Sequence, residues 1–173
     1  SGGGPGFRSQ TFLETRHFFR VDVDAEGNGE TASLPDPPYF TIVGGEAENF
    51  AMVAPSKVTI GESFRIMVKA EDAWGNPASS YRGTVELSAE GMELPEKSLK
   101  FSPEDNGVRW LDGFAASRAG MFRIAATDGA FTASSNPIEC AEQSGEYGLF
   151  WGDFHGGQVT LAEKIPDFFR YAR

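Results

Sequence analysis

From Ser63 to Ala70 the chain alternates strictly. Phe64, Ile66, Val68 and Ala70 interleave with the mostly polar set Ser63, Arg65, Met67 and Lys69. A period of two puts one apolar face and one polar face on a strand. The segment Asp72-Ala-Trp-Gly-Asn-Pro77 halts the pattern. Gly75 and Asn76 tolerate positive φ, and Pro77 lacks the donor a continuing strand needs. Val85 and Leu87 resume the alternation after Gly83. The stretch reads as strand, long corner, strand, a hairpin-like unit. Two half-buried strands need a second apolar layer, so the unit predicts the centre of a β-sandwich.

The flanking segments extend this pattern. Thr11–Val23, TFLETRHFFRVDV, has a β-rich composition and predicts one or two strands. Residues 24–38 form a polar connection stiffened by Pro35, Pro37 and Pro38, which marks a boundary. Short strands are predicted at Tyr39–Val43 and Asn49–Val53, and again around Leu99 and Phe101. Val108–Phe114 reads as a strand carrying Val108, Trp110 and Phe114, with a bulge where Leu111-Asp112-Gly113 breaks the alternation. Met121–Thr127 alternates cleanly. Asp128-Gly129 predicts a tight turn with an antiparallel return through Phe131–Ser134, and Pro137–Ala141 completes the series. Turn signals recur about every 8–12 residues, the mark of an all-β sandwich, and roughly a hundred residues suit one immunoglobulin-like domain.

Beyond residue 143 the character changes. Tyr147–Trp151, YGLFW, is apolar without alternation, as in a strand covered on both faces. Gly152–Gly157 reads as a loop. Thr160-x-x-Glu163 fits a capping box, but Pro166 favours a helix beginning at Ile165 or Pro166. That helix shows Phe168, Phe169 and Tyr171. A covered strand followed by a loop and a helix opens an α/β domain. The expected division is an N-terminal extension over 1–38, an immunoglobulin-like β-sandwich over 39–142, and a linker with the truncated start of a second domain over 143–173.

Composition narrows the function. The chain has 173 residues, 15 of them Phe, enough for a real core. Its net charge of −10 argues against nucleic acid or an anionic membrane surface as partner. The same charge leaves a cation or a basic partner open. The single cysteine, Cys140, permits no internal disulfide and reads as a small apolar filler. No run of about 18 apolar residues is present. The opening Ser-Gly-Gly-Gly-Pro-Gly lacks the basic and apolar regions of a signal peptide, so either there is none or the chain starts downstream of one. Periplasmic, secreted and cytoplasmic locations all fit.

Candidate chemistry is sparse. Asp153 and His155 follow the covered strand, and the carboxyl ends of strands are where α/β proteins collect their chemistry. An Asp and a His two apart on an extended loop can reach one zinc, manganese or iron ion. A complete site needs three or more ligands, and the commoner arrangement is a loop His beside a turn-forming Asp. His17, in a strand far away in sequence, is expected only to pack or meet solvent. Asp22-Val-Asp24-Ala-Glu26-Gly27 resembles the first half of a calcium loop, but Ser33 stands at its twelfth position and no helices flank it. It reads as an acidic β-turn. Trp74 and Trp110 can line a sugar-binding face, although a lone Trp more commonly packs a corner or fills a core. No catalytic residue is assigned.

Two segments carry a resemblance. EDAWGNPASSYRGTVELS resembles bacterial immunoglobulin-like domains, in which an Asp-x-x-Gly-Asn-Pro corner leads into a Gly-x-Val strand. YGLFWGDFHGG followed by DFFRYAR resembles the start of the catalytic domain in a large bacterial family similar to the PHP (polymerase and histidinol phosphatase) superfamily. GFRSQTF…FFRVDVDAEGNG is similar to that family's upstream region. The resemblance implies a distorted, metal-dependent (β/α) barrel continuing past Arg173 that hydrolyses substrates, typically phosphoesters, with metal-activated water. In that pattern the loop reads His-x-His. His155 matches the first, while Gly157 occupies the second position and supplies no ligand. Asp153 matches the family's Asp, as a ligand or as a partner behind the ligands. The chain is then expected to be a non-catalytic accessory domain, inactive alone. Its partner is the remainder of its own catalytic domain, and zinc, manganese or iron is held only in the full-length parent. The alternatives are a carbohydrate- or surface-binding sandwich using Trp74 or Trp110, and a plain structural spacer.

Overall fold

The computed structural model describes residues 9–143. Fifteen strands run in order: β1 Glu14–Phe18, β2 Asp22–Val23, β3 Ala32–Ser33, β4 Tyr39–Ile42, β5 Asn49–Val53, β6 Lys57–Thr59, β7 Phe64–Glu71, β8 Thr84–Ser88, β9 Met92–Glu93, β10 Ser98–Lys100, β11 Val108–Ala116, β12 Gly120–Phe122, β13 Ala125–Thr127, β14 Thr132–Ser134 and β15 Ile138–Ala141. One 3-10 turn, Pro103–Asp105, leads into β11.

The strands form the two layers of an immunoglobulin-like sandwich. One sheet has the order β5-β7-β11-β9. The other is built from β10-β8-β13-β14 and continues as β12-β15-β6. This division matches the ABED and GFC sheets of that fold, with β6 lying parallel to β15 after the chain crosses at Ala54–Ser56. The all-β sandwich is therefore as the alternation predicts.

Two details differ. The segments around the corner are not hairpin partners: β7 pairs with β5 and β11, whereas β8 pairs with β10 and β13 in the opposite sheet. The corner carries the chain across the core, because both strands present an apolar face and the two faces cover each other. Met121–Thr127 is also broken, at Arg123-Ile124, opposite a break at Ser135–Pro137. One backbone bond and two side-chain bonds tie the break. Ile124 N–H donates to Ser135 Oγ at 3.0 Å, Ser135 N–H to the Ile124 carbonyl at 2.8 Å, and Arg123 to the Ser135 carbonyl at 2.6 Å. Asn136 then bridges to the other layer, giving and taking 2.9 Å hydrogen bonds with the Ala54 backbone.

The core follows the alternation. Phe64, Ile66, Val68 and Ala70 point inward from β7, and Val85 and Leu87 from β8. Phe101, Phe114, Leu99, Ile124 and Ile138 are fully buried between the layers. The predicted bulge in β11 is present. Leu111 pairs with Ile66 and Phe114 with Phe64, so β11 spends three residues where β7 spends two. Gly113, at φ +92°, accommodates it. Cys140 is buried as expected.

Residues 9–49 contribute nothing buried; Phe50 is the first buried residue. Of these, residues 9–43 form an arm of two ribbons, β1 with β4 and β2 with β3. The predicted strand Tyr147–Trp151, the loop, the helix at Ile165 or Pro166, and with them Asp153, His155 and Gly157, lie outside the described residues.

Candidate interaction surfaces

The corner between the layers is built on one carboxylate. Asp72 Oδ1 accepts from the N–H of Trp74 at 3.0 Å and of Asn76 at 2.9 Å. Oδ2 accepts from Gly45 N–H at 2.9 Å, and the Asn76 side-chain amide reaches both oxygens. Burial alone would raise the Asp72 pKa. The bonds from Gly45, Asn76 and Trp74 outweigh it and bring the carboxyl down to about 2. Gly75 adopts φ +81° to close the turn. Asn76 also donates to the Thr11 carbonyl at 2.7 Å, fastening the arm to the corner. The fastening is close: a Cβ on Gly44 would collide with the Pro77 carbonyl oxygen.

The corner holds Trp74 outward, 59% exposed. Trp110 is 57% exposed on the outer face of the β5-β7-β11-β9 sheet. Neither indole fills the core, which corrects the commoner expectation for a lone Trp. Trp110 faces outward because Leu111 faces inward before the bulge. It stands in one row with Met67 and Val53 across three strands, beside a row of Val108, Lys69 and Ala51. Arg65 lies over its ring at 5.9 Å and grips Asp112 through two bonds of 2.7 and 3.1 Å. Lys69 is held by Glu71 at 2.8 Å. The result is a mixed face with an exposed indole at one end of its row and paired charges beside it. Such a face can stack a sugar ring or meet a protein surface.

The arm presents a second aromatic surface. Phe18 and Tyr39 pair across β1 and β4 with centroids 5.6 Å apart, and Arg16 lies 4.5 Å over the Tyr39 ring. On the other face His17 and Phe19 stack against Phe40 at 5.0 and 5.3 Å. His17 also contacts the Glu14 carboxylate through Nδ1 at 2.7 Å, which lowers the Glu14 pKa. It is thus both packed and wet, as its position suggests. A cleft of about 650 Å³ separates this ribbon from the corner, lined by Glu14, Ile42, Val43 and Pro77 among others.

The acidic β2–β3 segment is a turn. The Asp24 carboxylate accepts from the N–H groups of Gly27, Asn28 and Gly29 at 2.7–3.2 Å, and these bonds, Gly29 foremost, lower its pKa. Asp22 accepts from Ser33 Oγ at 2.7 Å. These oxygens are committed to their own loop. Among the described residues no group of three or more His, Cys, Asp or Glu is placed to hold a metal ion. Sequence reasoning missed the Arg16–Tyr39–Phe18 stack and the Arg65–Asp112 clamp. The first had a signal in the run RHFFR. The second had none, because its partners lie 47 residues apart.

No family model matches the chain. It is 34% identical over 178 residues to an uncharacterized protein of Chlamydia trachomatis, 33% to one of Chlamydia muridarum and 30% over 176 residues to one of Chlamydia pneumoniae. Each match takes in 97% of this chain and 28% of the relative, so the chain spans little over a quarter of the length of these proteins. Among solved structures it is similar to a glycosyl hydrolase family 2 member from Bacteroides cellulosilyticus. The TM-score is 0.50 at 17% identity, over 69% of this chain and 16% of that one. The Escherichia coli adhesin FdeC overlaps at a TM-score of 0.41 and 19% identity, over 65% of this chain and 37% of that one. The likeness to the glycosyl hydrolase shows the fold alone, in keeping with the immunoglobulin-like β-sandwich described above.

Proposed function

We propose that the chain is the accessory, non-catalytic immunoglobulin-like domain of a longer metal-dependent hydrolase of the PHP type. The carrying observation is the match of 97% of this chain to 28% of its chlamydial relatives, which suits one module of a larger polypeptide. The WGDFHGG loop with Asp153 and His155, followed by DFFRYAR, supports the hydrolase part. Asp and imidazole are ligands that suit zinc, manganese or iron, and activation of bound water by such an ion is the chemistry it would supply. The remaining ligands would come from the following domain.

The test compares the complete reading frame with the 173-residue chain. Each is assayed on bis(p-nitrophenyl) phosphate with zinc, manganese or iron. The complete protein is expected to turn over substrate, with His155→Ala or chelation lowering kcat at least 100-fold, and the short chain to be inert. An inert complete protein, or His155-dependent turnover by the short chain, overturns the reading.

A second reading is favoured by the exposed indole of Trp110 on its mixed, charge-bearing face: a carbohydrate-binding sandwich. Glycan-array binding by the chain, lost on Trp110→Ala and retained on Met121→Ala in the opposite sheet, would support it. Binding indifferent to Trp110 and Trp74 would remove it.

A further inference from the structure

The arm is poorly accounted for by the fold it belongs to. Residues 9–49 hold no buried side chain, yet they carry eight of the thirteen strongly exposed large apolar side chains among the described residues. Phe18 and Tyr39 are 48% and 49% exposed, and Phe12 and Phe19 more so. A two-stranded ribbon has too little burial to offset the entropy of ordering it. Apolar clusters of this kind mark contact surfaces. Residues 9–43 carry six carboxylates against two arginines, Arg16 and Arg20, a net charge of −4, and one of the carboxylates, Glu14, touches the aromatic cluster through His17.

We infer that the arm is the docking surface for the rest of the same polypeptide, which presents to it an apolar patch ringed by lysine and arginine. The inference rests on the reading of the chain as one module of a longer protein. Two observations choose this occupant. The chlamydial match leaves 3% of 173 residues, about five, outside it, so it includes the arm, and the remaining 72% of the relative's length is available to cover it. Charge disfavours the simplest competitor: a second copy would set one acidic arm against another, within chains of net charge −10. A basic-rimmed apolar surface complements both the exposed aromatics and the net negative charge of the arm.

Hydrogen–deuterium exchange tests this on the complete polypeptide and the 173-residue chain in parallel. Amides of β1, β4 and residues 19–23 are expected to exchange at least tenfold more slowly in the complete polypeptide. The double substitution Phe18→Ser with Tyr39→Ser should abolish that protection there and leave β7 and β11 unchanged. Equal exchange in the two proteins overturns the inference. So does protection of the isolated chain that grows with its concentration, which would mean self-association, or a reading frame with no further domain. Failure here and failure of the hydrolase reading are separable. A protected arm in a protein without metal-dependent turnover removes only the hydrolase, and turnover with an unprotected arm removes only the docking.

Discussion

Asp72 shows how much one side chain can carry when its acceptors are all used. Gly45, Trp74 and Asn76 each donate to it, so the carboxylate joins the arm, the corner and the sheet. Asp72→Asn leaves one side-chain atom with no lone pair for these donors, and hydrogen bonds to charge contribute about 1.5–3 kcal/mol each. Urea unfolding at pH 7 is expected to show a loss of about 2 kcal/mol or more. The sign of the pH effect follows from the depressed pKa of about 2, against 3.8 for the free group. The stabilisation is complete above about pH 4 and is lost as pH falls toward 2. Between those values the gap between wild type and Asp72→Asn should therefore shrink. A gap that stays constant from pH 7 to pH 2 would assign the stability to something other than the charge. Phe114, wholly buried against Phe64 at 6.1 Å, is a purely apolar case. Phe114→Ala should cost about 3–5 kcal/mol by the same measurement, with no pH dependence over that range.

At the scale of elements, the join between arm and sandwich rests on a close approach. Gly44 lies against the Pro77 carbonyl with no room for a Cβ. Gly44→Ala must move β4 away from the corner and strain the Asn76–Thr11 bond, while the sandwich core lies beyond Phe50. Limited proteolysis should then cut within residues 9–43 several-fold faster, with the sandwich fragment accumulating as in the wild type. Loss of the fragment as well would show that the arm supports the core. Which parts were legible beforehand follows from the same physics. β7 and β8 were readable because one face of each is buried and the other wet, which writes a period of two into the sequence. Their pairing was not, since alternation says which face is covered and not by which strand. The bulge at Leu111–Gly113 was readable as a broken period. Its consequence, Trp110 outside and Phe114 inside, needed the partner strand to decide where parity changes. The Arg123-Ile124 break left no trace in the alternation because Ser135 replaces the missing ladder from another strand. Of the candidate site, the two indoles were picked out as residues. Their exposure and the Arg65–Asp112 clamp depend on contacts between distant segments.

For the molecule as a whole, the separation of core from arm makes a quantitative expectation. Every buried residue described lies between Phe50 and Cys140, so removal of residues 9–43 takes away no core side chain. It removes the Asn76–Thr11 hydrogen bond and half-buried contacts along the Glu14 and Ile42 face. It leaves Gly45 N–H in place on Asp72. A neutral hydrogen bond of this kind contributes about 0.5–1.5 kcal/mol, and a domain of this size shifts its Tm by about 4–8 °C per kcal/mol. The shortened chain should thus melt in one cooperative step, no more than about 15 °C below the wild type. In the complete polypeptide the same removal should cost more than it does in the short chain, because there it would also uncover the surface that the arm is inferred to meet. Equal losses in the two backgrounds would show that the arm is covered by nothing, and failure of the short chain to fold would show that the sandwich's stability extends into segments without a buried residue.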